Sequence, residues 1–162
     1  MSHSIIEFTP AHREAVDAIL HDVTLSWGKQ WYENICHMYC LECTSKGFLL
    51  KYVALDGQDV VGTILLRRAI DMYVIEFLAV KKGLRGVGVG SELVHFAEKL
   101  AREKGAKGLR VDVASDLRQN LSFYRKLGFE ICGHVQDFYE PGDSQVFLTK
   151  NLAAAQVEKA EK

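Results

Sequence analysis

Apolar and polar positions follow two rhythms along the chain, and their order predicts its elements. Ser4 to Phe8 reads as a short strand, and Thr9 with Pro10 opens a helix whose buried face is Ala15, Val16, Ile19 and Leu20. Ser26 to Cys43 is read as helical and carries Trp27, Trp31, Tyr32 and Tyr39, which either pack in the core or form a wall for a substrate. Phe48–Leu55 and Val60–Arg67 flank Asp56-Gly57-Gln58-Asp59 as a hairpin, and Met72–Val80 continues it into an antiparallel meander. From about Gly88 to Lys104 the apolar positions Val89, Leu93, Phe96, Ala97 and Leu100 recur at helical spacing, with Glu92, His95, Lys99 and Arg102 opposite them. Gly108–Val113 alternates as a strand, so strand, helix and strand form a parallel right-handed crossover. Asp116 and Gln119 resemble a capping box for a helix that runs to about Lys126 and stops at Gly128. Phe129–Gln136 and Gln145–Leu152 are the last strands, with Glu140-Pro-Gly-Asp143 between them. The pattern predicts an α+β fold with a mixed, mostly antiparallel sheet, in a single domain over residues 1–152 with a polar tail over 153–162.

Composition narrows the class. A chain of 162 residues, 48% hydrophobic and 25% charged, can bury one core. Its net charge of −1, without a basic block, argues against nucleic acid as a partner. No basic segment precedes an apolar run at the N-terminus, and no window approaches the ~18 apolar residues of a membrane span. The expectation is a cytoplasmic protein with no membrane partner. Cys36, Cys40 and Cys43, with His37 beside them, have a spacing that could hold a metal. The surrounding Trp, Tyr, Met and Leu favour small core cysteines instead, so no metal is expected.

The stretch with the most chemistry runs from Ile75 to Ser91: an apolar strand with one carboxylate, Glu76, then a turn holding Arg85, Gly86, Gly88 and Gly90. Glycines just before a helix let backbone N–H groups approach an anion, and the helix N-terminus favours negative charge. This is a phosphate cradle, or else a tightly packed strand-to-helix connection. A dinucleotide fingerprint is excluded, since its last glycine would fall on Ser91 or Leu93, and no Gly-Lys-Ser/Thr forms a P-loop.

Two motifs make the chain resemble the GNAT superfamily of acyl-CoA-dependent N-acyltransferases. Leu78-Ala79-Val80 is followed, five residues after Val80, by Arg85-x-x-Gly88-x-Gly90, similar to the family's pyrophosphate loop. Asn120-Leu-Ser-Phe-Tyr-Arg-Lys-Leu-Gly-Phe129 resembles its Phe-Tyr-x-Lys-x-Gly-Phe ending. Together they span residues 75 to 130. The resemblance implies a GNAT-like sheet of about seven strands with helices on both faces, acetyl-CoA as co-substrate, and acetyl transfer to a primary amine of a small molecule or peptide by direct attack in a ternary complex. Protein N-terminal or lysine acetylation, and a non-catalytic acetyl-CoA-binding module, stay open beside it, and a homodimer is allowed.

The resemblance also assigns roles. Backbone groups of Leu78, Ala79 and Val80 would bind the pantetheine arm, and the Leu78 amide would polarise the thioester carbonyl. Amides of Arg85, Gly86, Val87, Gly88, Val89, Gly90 and Ser91 would bind the pyrophosphate. Tyr124 would be the general acid for the thiolate, or else a core aromatic. Asn120, one turn before Tyr124, would contact the coenzyme; the family's usual asparagine position is Leu117 here. Glu76 shares parity with Leu78 and would be the base, acting directly or through water. An ion pair with Arg67 or Arg68 is the other reading of Glu76. Asp137, Glu140 and Asp143, with Trp27, Trp31 and Tyr32, would form an acidic, aromatic mouth for a cationic amine, or else a solvated loop.

Overall fold

The protein is described here by a computed structural model covering residues 3–24, 29–39, 48–114, 117–138, 141–142 and 144–153, with the backbone alone for 29–32. Its elements are β1 (Ser4–Glu7), a 3-10 turn (Pro10–His12), α1 (Arg13–Thr24), α2 (Lys29–Met38), β2 (Leu49–Asp56), β3 (Asp59–Ala69), β4 (Met72–Val80), α3 (Val89–Glu103), β5 (Gly108–Ala114), α4 (Arg118–Lys126), β6 (Glu130–Gln136) and β7 (Ser144–Asn151). The seven strands form one mixed sheet in the order β1-β2-β3-β4-β5-β7-β6. β4 and β5 are parallel, paired from Met72↔Gly108 to Ile75↔Val111, while β4 runs on to Val80. The chain's contacts group into two compact units, residues 1–68 with 76–97 and residues 69–75 with 98–162.

In the first unit, the hairpin closes with Asp56 opposite Asp59 across a two-residue turn, with Gly57 at φ +61°. Val16, Ile19 and Leu20 of α1 join Phe8, Ile35, Tyr39, Val53, Leu65 and Phe77 in one core, whereas Ala15, expected on that face, is exposed. Tyr39 meets Phe8 edge-on with centroids 5.5 Å apart, and its hydroxyl lies 2.8 Å from Thr63 Oγ1. It is therefore a core aromatic and not a substrate wall. Trp27 lies outside the described residues, as do the side chains of Trp31 and Tyr32. α3 seats on β3 at Gly62: a Cβ there would lie 3.0 Å from Val89 Cγ1 and 3.1 Å from both the Ala79 carbonyl oxygen and Leu93 Cδ1. That close approach fixes the start of α3 against the strands that precede it.

In the second unit, β7 lies between β5 and β6 and pairs antiparallel with both. Lys150 of β7 ties this unit together, donating to Glu98 Oε1 at 2.5 Å and to the Leu127 carbonyl at 2.7 Å. The residue capping α4 is Leu117, without a side-chain cap bond. Asp116, expected in that role, lies outside the described residues.

Candidate active site

The strand, turn and helix expected around Ile75–Ser91 form as one continuous piece within β4, residues 81–88 and α3. Lys81 N–H donates to the Val61 carbonyl of β3 at 2.9 Å. Because successive residues of a strand turn their polar groups to opposite sides, those of Val80 and Leu78 point away from β3. Gly86 has φ +83° and Gly88 φ +109°, a backbone region that L side chains rarely adopt. A Cβ built on Gly88 meets nothing within 4 Å, so the glycine answers to its backbone angle and not to crowding. The Gly88 carbonyl accepts the Glu92 N–H at 3.0 Å, the first bond of a 15-residue helix. The amides of Val89, Gly90 and Ser91 precede any carbonyl of that helix that could take them. Open amides, glycines and a helix N-terminus lie together there, an arrangement whose backbone donors can take an anion.

Arg85 is tied down at both ends. Its Nε donates to the Val80 carbonyl at 3.1 Å, and its Nη2 is bonded to Asp22 of α1, whose carboxylate also has Lys82 Nζ at 3.8 Å. Asp22 was not legible as a site residue: it precedes Arg85 by 63 positions and reads as an ordinary polar position of α1.

Glu76 Oε1 accepts a hydrogen bond from Arg67 Nε at 2.5 Å, with the carboxylate side chain still 24% exposed. Of the two arginines considered, Arg67 is the partner, and the carboxylate is both paired and reachable by water. In the second unit, Tyr124 is buried, with Phe123 and Phe129 edge-on at 4.9 and 5.4 Å. Its hydroxyl takes no hydrogen-bond partner among the described residues, and burial pushes its pKa up from 10.0. Asn120, one turn earlier, is exposed. Asp137 holds its own loop, accepting the Gly142 N–H at 2.7 Å. Glu140 and Asp143, its expected companions in an acidic mouth, lie outside the described residues, as do Cys40 and Cys43. Among the described residues no group of three His, Cys, Asp or Glu could hold a metal ion, and no helix is long and apolar enough to cross a membrane.

Burial gives these tyrosines a measurable consequence. Tyr39, like Tyr124, is pushed above 10.0, chiefly by desolvation. An unfolded phenol ionises near 10, a buried one later, so their contribution to stability is complete below about pH 10 and is lost as pH rises beyond it. Thermal melts should hold level toward about pH 9.5 and then fall, by about 1.4 kcal/mol per pH unit for each of the two. Tyr39→Phe and Tyr124→Phe should each make the alkaline slope shallower; an unchanged slope would show that neither phenol is shielded.

A strand, glycine turn and helix on an α+β sheet form an arrangement that presents open backbone amides at a helix N-terminus. The chain belongs to the acetyltransferase (GNAT) family, whose model matches residues 13–129. It is similar to a streptothricin acetyltransferase of Streptomyces lavendulae, with 36% identity over 66 residues, a stretch that is 41% of this chain and 35% of that relative. The match thus spans about a third of the relative's length. Its fold is that of a protein assigned to the GNAT family from Desulfovibrio desulfuricans, with a TM-score of 0.84 and 14% identity over 94% of this chain and 100% of the other. A Bacillus anthracis protein assigned as a streptothricin acetyltransferase, solved in complex with acetyl coenzyme A, is 25% identical with a TM-score of 0.61, over 64% of this chain and 62% of that one.

Proposed function

We propose that the protein is an N-acetyltransferase that moves the acetyl group of acetyl-CoA to a primary amine of a small molecule by direct attack in a ternary complex. The observation that carries this reading is the continuous run from the outward-turned polar groups of Leu78 and Val80 to the open amides at the start of α3. Strand-like bonding by Leu78–Val80 suits the amides of a pantetheine arm, and the amides from Arg85 to Ser91 suit its diphosphate. The similarity to a protein with acetyl coenzyme A bound, and to a streptothricin acetyltransferase, supports the coenzyme and a small-molecule acceptor.

The coenzyme supplies an acetyl group activated as a thioester. The Leu78 amide would donate to the thioester oxygen as negative charge gathers there. Tyr124, protonated because burial disfavours its phenolate, would donate a hydrogen bond toward the departing sulfur. A thiol of pKa roughly 8.5 leaves as thiolate without full proton transfer, so Tyr124 stabilises that charge and does not deliver a whole proton. The attacking amine must first be neutral, and Glu76 would take the proton of its ammonium form, directly or through water, giving up its hydrogen bond with Arg67 for the moment. A second proton leaves the nitrogen as the C–N bond forms and the C–S bond breaks; it passes to solvent or to the departing thiolate, and the amide keeps its one N–H.

The acceptor tests this role. Deprotonating an alkyl amine of pKa near 10.4 at pH 7 costs roughly 4.6 kcal/mol, and an α-amine near 7.7–8.0 only about 1 to 1.4 kcal/mol. Glu76→Gln should therefore lower kcat/KM by about 100-fold for an alkyl amine and by less than about 10-fold for an α-amine. The assay is thiol release from acetyl-CoA across a panel of both amine types, as a function of pH. Equal small losses for both would leave Glu76 as the structural partner of Arg67. Coenzyme binding with no transfer to any amine would favour a non-catalytic acetyl-CoA-binding module.

A further inference from the structure

Two cations of the glycine turn, Arg85 and Lys82, already face the protein's own carboxylate. Asp22 of α1 holds Arg85 Nη2 and lies 3.8 Å from Lys82 Nζ, while Arg85 Nε spans the Val80 carbonyl at 3.1 Å. That carbonyl is the last of β4 and, by the alternation set by the Lys81–Val61 bond, faces away from β3. It is the position where the proposed pantetheine contact falls. The arginine side chain therefore takes up the strand-end acceptor, and the aspartate neutralises the charge that a phosphate would seek.

We propose that Asp22 is an internal stand-in for a coenzyme phosphate, and that Asp22, Arg85 and the Val80 carbonyl form a latch that the coenzyme must open. The inference rests on the coenzyme site proposed above. When a phosphate takes the Arg85 guanidinium, Asp22 loses its main partner, Arg85 swings off Val80, and the carbonyl becomes available to an amide of the pantetheine arm. Asp22 then sets coenzyme affinity by competing in the free state and by repelling phosphate if it stays close. It also ties α1 to coenzyme occupancy, because the contact that holds its last turns to the glycine turn is exchanged on binding. No chemical step is involved; the exchange is of one anion for another on the same guanidinium.

The contact is partly exposed, with side chains of Asp22 and Arg85 at 30% and 51% exposure, so its effect is modest and sensitive to salt. Asp22→Asn keeps the shape and removes the charge. Calorimetric titration of coenzyme A into the wild type, Asp22→Asn, Arg85→Gln and the double variant tests the latch at low and high ionic strength. The expected result is binding about two- to fivefold tighter for Asp22→Asn at low salt, a gain that shrinks at high salt. In the Arg85→Gln background the gain should fall to the smaller share carried by Lys82. Equal or weaker binding of coenzyme A by a folded Asp22→Asn protein overturns the latch and leaves the coenzyme site standing, as does a full gain in the absence of Arg85. Absence of binding in all four proteins would overturn the coenzyme site itself and the latch with it.

Discussion

Gly88→Asp is expected to weaken coenzyme A binding by about 100-fold or more while the protein still folds. Two separate costs meet at this position. The φ of +109° disfavours any L residue, at about 1–3 kcal/mol, and that cost falls on the folded protein with or without ligand. The second falls only on the complex. A carboxylate about 5 Å from a phosphate charge costs about 3 kcal/mol at an effective dielectric of about 20. Nothing lies within 4 Å of a Cβ there, so the free protein has room and should lose only a few degrees of melting temperature. Gly88→Ala, which carries the first cost without the second, should bind far better than Gly88→Asp. Calorimetry on both variants separates the terms, and undiminished affinity in a folded Gly88→Asp protein would remove the diphosphate from the glycine turn.

Tyr124→Phe is expected to reduce kcat by about 10- to 100-fold with coenzyme affinity nearly unchanged. General acid groups commonly contribute about 100-fold or more, and a leaving thiolate needs less help than an alkoxide or amide would, which places the effect at or below the bottom of that range. The ring remains between Phe123 and Phe129, so packing is kept. The hydroxyl has no partner among the described residues, so removing it orphans no buried group and should not lower stability. Because burial raises the phenol, Tyr124 stays a donor up to about pH 10, and the wild-type profile should show no alkaline loss from it below that. Unchanged turnover at saturating substrates would make Tyr124 a packing residue.

Much of this protein was legible in its sequence, for reasons that differ by element. β4 was read to its observed bounds, Met72–Val80, and α3 to within a residue or so at each end, because each is a long stretch with its own rhythm. Gly86 and Gly88 announced a turn before the helix, and both take positive φ in the structure. The start of α4 was harder, since cap chemistry near a helix end offers several candidates and the observed cap, Leu117, has no signature. The aromatics of the second helical segment were ambiguous because a ring on a helix looks the same whether it faces core or ligand. Only Tyr39's contacts with Phe8 and Thr63 decided its case.

Local sequence by itself determined where strands and helices form, where the chain turns left-handed, and which backbone amides are left open to an anion, because backbone sterics and burial periodicity act over a few neighbouring residues. Tertiary structure alone decided that β7 enters between β5 and β6, that Gly62 seats α3, that Glu76 pairs with Arg67 and not Arg68, and that Asp22 holds Arg85. Those are choices among charges and surfaces far apart in the chain, and Coulomb and packing energies depend on distance in space, which spacing along the sequence does not record.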